Sequence, residues 1–81
     1  MKLAKYIKNA RLYKGMTQAS VAARIGTTTT FVSLIENGSA KIPLDKLKVL
    51  IKIYGLDKNE VVNLSVNEYE KMLLKELLWA I

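Results

Sequence analysis

Residues 17–38 read TQASVAARIGTTTTFVSLIENG, and their reading decides the fold. Two short helices joined by a tight turn at Gly26 account for every position. The Thr17 hydroxyl is placed to accept from a free backbone N–H in the first turn of the first of these helices. Val21, Ala22 and Ile25 form its buried stripe, and Gly26 supplies the positive φ that reverses the chain within a few residues. Thr28 is the N-cap of the following helix. Phe31, Val32 and Ile35 face inward, leaving Thr29, Thr30, Ser33 and Leu34 outward. Four adjacent threonines, Thr27 to Thr30, favour extended backbone by intrinsic propensity. The apolar spacing after residue 31 and the caps on both sides decide for a helix, which Asn37–Gly38 ends.

Working outward, Leu3, Ile7 and Ala10 recur at helical spacing and predict a first helix that stops at Gly15. After a loop from Ser39 to Ile42, Pro43 fits the first turn of a fourth helix, where its missing N–H costs nothing. Leu44, Leu47, Leu50, Ile51 and Tyr54 make its apolar face, and Gly55 ends it. Asp57-Lys58-Asn59-Glu60 has capping-box spacing, with Leu56 placed to staple against Val61. A short fifth helix runs to about Leu64. Ser65-Val66-Asn67-Glu68 repeats the capping pattern and opens a last helix to about Ala80. Six helices and no strands follow.

Composition narrows the class. Eighty-one residues, 51% apolar and 25% charged, make one globular domain near the lower size limit for a single unassisted core. Cysteine and histidine are both absent, which removes disulfides, thiolate metal sites and the commonest general base. No metal site, no cofactor and no enzymatic activity are expected. Lysines every third residue at the N-terminus argue against a signal peptide, and no apolar run is long enough to span a membrane. A cytoplasmic protein without membrane association is expected. A chain this short is expected to leave no room for a small-molecule pocket.

The net charge of +6 is unevenly placed. Residues 1–52 carry ten lysines and arginines against Glu36 and Asp45, while residues 53–81 carry three lysines against five acids. A polyanion-binding part and a separate association part are implied. Lys2, Lys5, Lys8, Lys14, Lys46 and Lys48 are candidates for contact with such a polyanion. In the last helix Asn67, Glu68, Lys71 and Lys75 share one arc. Val66, Tyr69, Met72, Leu73, Leu74, Leu77, Leu78, Trp79 and Ile81 cover the rest, well beyond the ~100° stripe of an ordinary surface helix. The surplus predicts a dimer interface through Tyr69, Met72, Leu73, Leu77 and Trp79.

Four positions in the opening stretch occur together: small Ala22, Gly26, and apolar Val32 and Ile35, followed by Glu36-Asn37-Gly38. With Gly15-Met16-Thr17-Gln18 before them, they resemble the Xre/Cro/phage-repressor family of helix-turn-helix proteins over about residues 3–57. The resemblance implies a compact, all-α, five- to six-helix lambda-repressor-like DNA-binding domain with a C-terminal dimerisation helix. Residues 1–64 would be the DNA-binding domain, with the helix-turn-helix at about 17–37, and residues 65–81 the apolar helix. Thr28, Thr29, Thr30, Ser33 and Leu34 match base-facing positions, and Thr17, Gln18, Asn37 and Lys41 match phosphate-contacting ones. Arg11 and Glu36 match an ion pair tying the first helix to the end of the third. Where family members often carry glutamine for adenine, this chain offers hydroxyls and methyls. Contact with thymine methyls, and specificity drawn largely from DNA shape, are therefore expected.

The function implied is sequence-specific transcription regulation. A homodimer would bind a double-stranded operator with helix 28–37 of each copy in the major groove. Three roles stay open on that fold: prophage or mobile-element repressor, restriction–modification controller protein, and antitoxin. A protein-interaction module that kept the fold without DNA binding is the alternative from another class.

Overall fold

A computed structural model describes residues 2–64 and 68–79, with backbone alone for residues 2, 68, 69 and 77. Among the described residues the chain is all-helical: α1 (Lys2–Tyr13), α2 (Gln18–Ile25), α3 (Thr29–Glu36), α4 (Leu44–Tyr54), α5 (Lys58–Asn63) and α6 (Glu68–Trp79). The Ser65–Asn67 capping pattern lies outside the described residues.

Local chemistry sets the helix ends. Thr17 Oγ1 accepts from Ser20 N at 3.0 Å, Thr28 Oγ1 from Phe31 N at 3.1 Å, and Asp57 Oδ1 from Asn59 N at 2.8 Å. Each hydroxyl or carboxylate satisfies an N–H that the helix itself cannot. Pro43 departs from expectation by one position. Its ψ of 143° is extended, so it is the N-cap and the helix begins at Leu44. Proline still belongs there, because its carbonyl accepts the first bond of the helix, from Leu47 N at 2.9 Å.

One apolar cluster joins all the helices. Ile7 of α1, Val21 of α2, Leu50 of α4, Val61 of α5 and Leu78 of α6 have at most 1% of their surface exposed. Each such side chain contributes about 1.5–3 kcal/mol of burial. Val32 and Ile35 anchor α3 as predicted, but Phe31 is only half-buried. Phe31 comes one helical step too early to share their inward direction fully.

The last helix is turned differently from its simplest wheel reading. Leu78 is completely buried and Leu74 packs on the core, while Lys71, from the polar arc, is half-buried. Lys58 Nζ donates to the Leu78 carbonyl at 3.3 Å, placing a cation at the negative end of α6. Met72, Leu73 and Trp79 point outward. The side chains of Tyr69 and Leu77 lie outside those described.

A groove of about 260 Å³ runs between α6 and the rest, walled by Leu3, Ile42, Leu47, Leu64 and Leu74. The expectation that so short a chain leaves no room for a pocket therefore does not hold. No described helix is long and apolar enough to cross a membrane.

The Tyr54 hydroxyl is buried with no hydrogen-bond partner among the described residues. Burial, and secondarily the charge of Glu36, push its pKa up to about 12 from an ordinary 10.0, with Arg11 opposing. Below pH 10 the phenol is protonated in both folded and unfolded chains and contributes no slope. Between pH 10 and about 12 the unfolded chain releases the proton while the folded chain keeps it, so stability falls across that window. The stability difference between wild type and Tyr54→Phe, measured by urea denaturation, should therefore shrink or become more negative for the wild type over that range. A difference flat in pH would contradict the burial.

Candidate nucleic-acid interface

The geometry of the third helix rests on a buried polar junction. Arg11, on the last turn of α1, donates Nε to Glu36 Oε2 at 2.7 Å and Nη2 to Glu36 Oε1 at 3.0 Å. Its Nη1 donates to the Met16 carbonyl at 2.8 Å. Gln18 Nε2, at the start of α2, also donates to Glu36 Oε1 at 3.0 Å. Arg11 is 7% exposed and Glu36 6%. The two-pronged bond to Glu36 holds the Arg11 guanidinium above its ordinary range, against the opposing effect of burial. The junction ties the end of α3 to α1, to the loop before α2 and to the beginning of α2.

At the other end of α3 the turn is built from backbone. Gly26 has φ of 72°, a conformation that costs a residue with a Cβ but not glycine. Thr27 N donates to the Ala22 carbonyl at 2.9 Å, which closes α2 in the manner of a Schellman cap. Lys46 Nζ, 3.4 Å from the Gly26 carbonyl, adds a cation at the C-terminal end of α2. Ala22 is buried at the crossing, where a larger side chain would push the two helices apart.

Between these anchors the predicted reading positions emerge together. Thr28, Thr29 and Thr30 are exposed at the front of α3, Ser33 is half-buried, and Leu34 is 38% exposed one turn on. Thr28 spends its oxygen on the cap. Thr29, Thr30 and Ser33 make no side-chain hydrogen bond among the described residues, so their hydroxyls are available to a ligand. Asn37 follows at the C-cap, its Oδ1 accepting from Ser39 N at 2.9 Å, with its amide N–H groups left over. Thr17 lies exposed at the cap of α2.

Two predicted phosphate residues have intramolecular partners that the sequence did not announce. Gln18 gives one amide N–H to Glu36. The Lys41 ammonium is 3.4 Å from Glu70 Oε1, yet its side chain is 90% exposed, so that contact is a loose surface pair. Neither bond leaves a local signature, because the partners are eighteen and twenty-nine residues away. Lys46, one of the candidate surface lysines, instead serves the turn glycine.

Two short helices, a glycine turn and a polar outward row on the second helix define a helix-turn-helix DNA-binding domain. A helix-turn-helix family profile matches residues 7–61, and the chain belongs to the Xre/Cro/phage-repressor type of that family. The family's members are DNA-binding regulators, and this protein is one at that level of description. No curated protein and no solved structure matches the chain.

Removing one side of the buried pair should be severe. Glu36→Ala strands the Arg11 guanidinium and should cost about 3–5 kcal/mol in urea denaturation. Arg11→Met with Glu36→Leu, which replaces both charges with apolar groups of similar size, should cost clearly less than Glu36→Ala alone. If Glu36→Ala loses under about 1 kcal/mol, as an exposed pair would, the junction is not the anchor described here.

Proposed function

We propose that the protein regulates transcription by binding a double-stranded operator as a homodimer, one α3 per half-site. The observation that carries this reading is the row Thr29, Thr30, Ser33 and Leu34. Its side chains make no hydrogen bond among the described residues, on a helix whose far end is locked by the Arg11–Glu36 pair. Residues 1–64 would be the reading domain and residues 65–81 the association helix.

In this arrangement Thr29 and Thr30 meet base edges in the major groove, their methyl groups against thymine methyls and their hydroxyls hydrogen-bonding. Thr28 stands beside them, chiefly as cap, and Leu34 extends the apolar contact. Gln18, with its second amide N–H, bridges a backbone phosphate to the Glu36 junction, while Thr17, Asn37 and Lys41 take neighbouring phosphates. Phosphate grip then bears on the same junction that orients α3.

Size supports two copies. The described residues extend 31 Å along their longest axis, shorter than the about 34–36 Å between successive major grooves on one face of DNA. A second copy, joined through the outward Met72, Leu73 and Trp79 of α6, would supply the second reading helix. The exposed Leu34 gives some support to a second reading, a protein-interaction module on the same fold.

DNA binding is tested by gel-shift titration at increasing salt, with Thr29→Ala/Thr30→Ala beside the wild type. Affinity should fall steeply with salt, by a log–log slope of about 0.9 per phosphate neutralised. The double variant, which places good helix formers on exposed positions, should stay folded and lose specific binding more than non-specific binding. A flat salt response would favour the protein-interaction reading. Equal losses on specific and random DNA would mean that Thr29 and Thr30 do not read bases.

A further inference from the structure

The C-cap of α3 carries a chemically reactive pair. Of the five asparagines in the chain, Asn37 is the one followed by glycine. A glycine has no Cβ to shield its backbone nitrogen, so that nitrogen can close a succinimide ring on the preceding side-chain amide. Asn37 is exposed, which lets ammonia leave and water enter. Its Oδ1 accepts from Ser39 N at 2.9 Å, a bond that folds the side chain back along the Gly38 peptide instead of out to solvent. Asn9 lies within α1, and Asn59 and Asn63 within α5, each followed by a residue that has a Cβ.

We propose that Asn37 is a site of spontaneous deamidation, open in the free protein and closed on DNA. The Gly38 nitrogen gives its proton to water and bonds to Asn37 Cγ. The bond from Cγ to the side-chain nitrogen breaks, and that nitrogen takes a proton from water and leaves as ammonia. A water molecule then opens the succinimide at either carbonyl, giving aspartate or isoaspartate at position 37. Ring closure requires the peptide after Asn37 to turn from its ψ of 1°, and the Gly38 N–H to let go of the Ile35 carbonyl at 3.2 Å. The reaction therefore waits for the last turn of α3 to open, and helix ends open at the least cost. Resting on the phosphate role proposed above, a phosphate held by the Asn37 amide keeps that turn closed and the leaving group engaged. The product loses this amide donor and sets a negative charge at the C-terminal end of α3, where the helix dipole and DNA phosphates both oppose it. Time spent off DNA would then remove binding capacity irreversibly.

The test holds the full chain in warm, mildly alkaline buffer, alone and with excess random-sequence duplex, and maps its peptides by mass spectrometry. In the free chain, the amide-to-acid mass gain and isoaspartate should appear at residue 37 well before they appear at Asn9, Asn59 or Asn63. Bound duplex should slow the reaction about tenfold. Asn37→Asp should bind DNA about tenfold more weakly than fresh wild type, as loss of a hydrogen bond to a charged group implies. Asn37→Ser, which has no amide to lose, should keep its starting affinity through an incubation that costs the wild type most of its own. The site is overturned if residue 37 reacts no faster than the other asparagines, or only after unfolding in urea. Equal rates with and without duplex, when a gel shift shows the duplex bound, overturn the protection. An Asn37→Asp chain that binds as tightly as wild type overturns the loss of function and keeps the site. Reaction at residue 37 in a chain that binds no duplex keeps the site and overturns the DNA-binding reading instead.

Discussion

The Arg11–Glu36 pair is the constraint on which the rest of this structure depends. An eight-residue helix such as α3 is too short to persist in water by itself, and Val32 and Ile35 give it only a narrow apolar footing. Apolar contacts resist separation, but they allow rotation about the helix axis. A guanidinium fork meeting a carboxylate with two parallel bonds does not, because its hydrogen bonds lengthen with small rotations. With Met16 and Gln18 joined to the same junction, three elements agree on the direction in which Thr29, Thr30 and Leu34 point. The charges were costly to bury, and what they supply in return is orientation more than stability.

The last helix, α6, has two tasks. A domain of this size has little apolar surface to spare, and Leu78 with Leu74 completes the core that α1, α4 and α5 leave open. The same helix turns Met72, Leu73 and Trp79 to solvent, an arrangement that makes sense when another surface covers them. The core and the outward face compete for one helix's apolar residues. The groove beside Leu74 marks where neither has claimed the space.

The parts of the fold that depend on neighbours in sequence were legible in the sequence. Thr17, Thr28 and Asp57 act as caps, and Gly15, Gly26, Gly38 and Gly55 all take positive φ, because each effect is settled within one turn of chain. The Arg11–Glu36 pair was foreseen through the family resemblance and not from spacing, since charge and sequence separation alone do not single it out. What escaped is non-local. A helical wheel placed Lys71 with the solvent-facing polar residues, whereas in the structure, where α6 buries Leu78 in the core, Lys71 is half-buried. The bond from Gln18 to Glu36, the service of Lys46 to Gly26, and the groove itself each arise from how helices meet, which periodicity within one helix does not encode. The reading positions proposed for α3 came from the family resemblance, and Thr29, Thr30, Ser33 and Leu34 are what remains on that helix after its cap and its buried residues are subtracted.

We propose that this scaffold presents two copies of α3 to successive turns of duplex DNA. Selection of bound sites from a random duplex pool tests it most directly, since sequence preference, half-site spacing and symmetry are read together. The expected result is an enriched inverted repeat whose half-site centres lie about 10–10.5 base pairs apart or a multiple of it. A pool no different from the starting library, or an enriched lone half-site with no partner at any spacing, would contradict it.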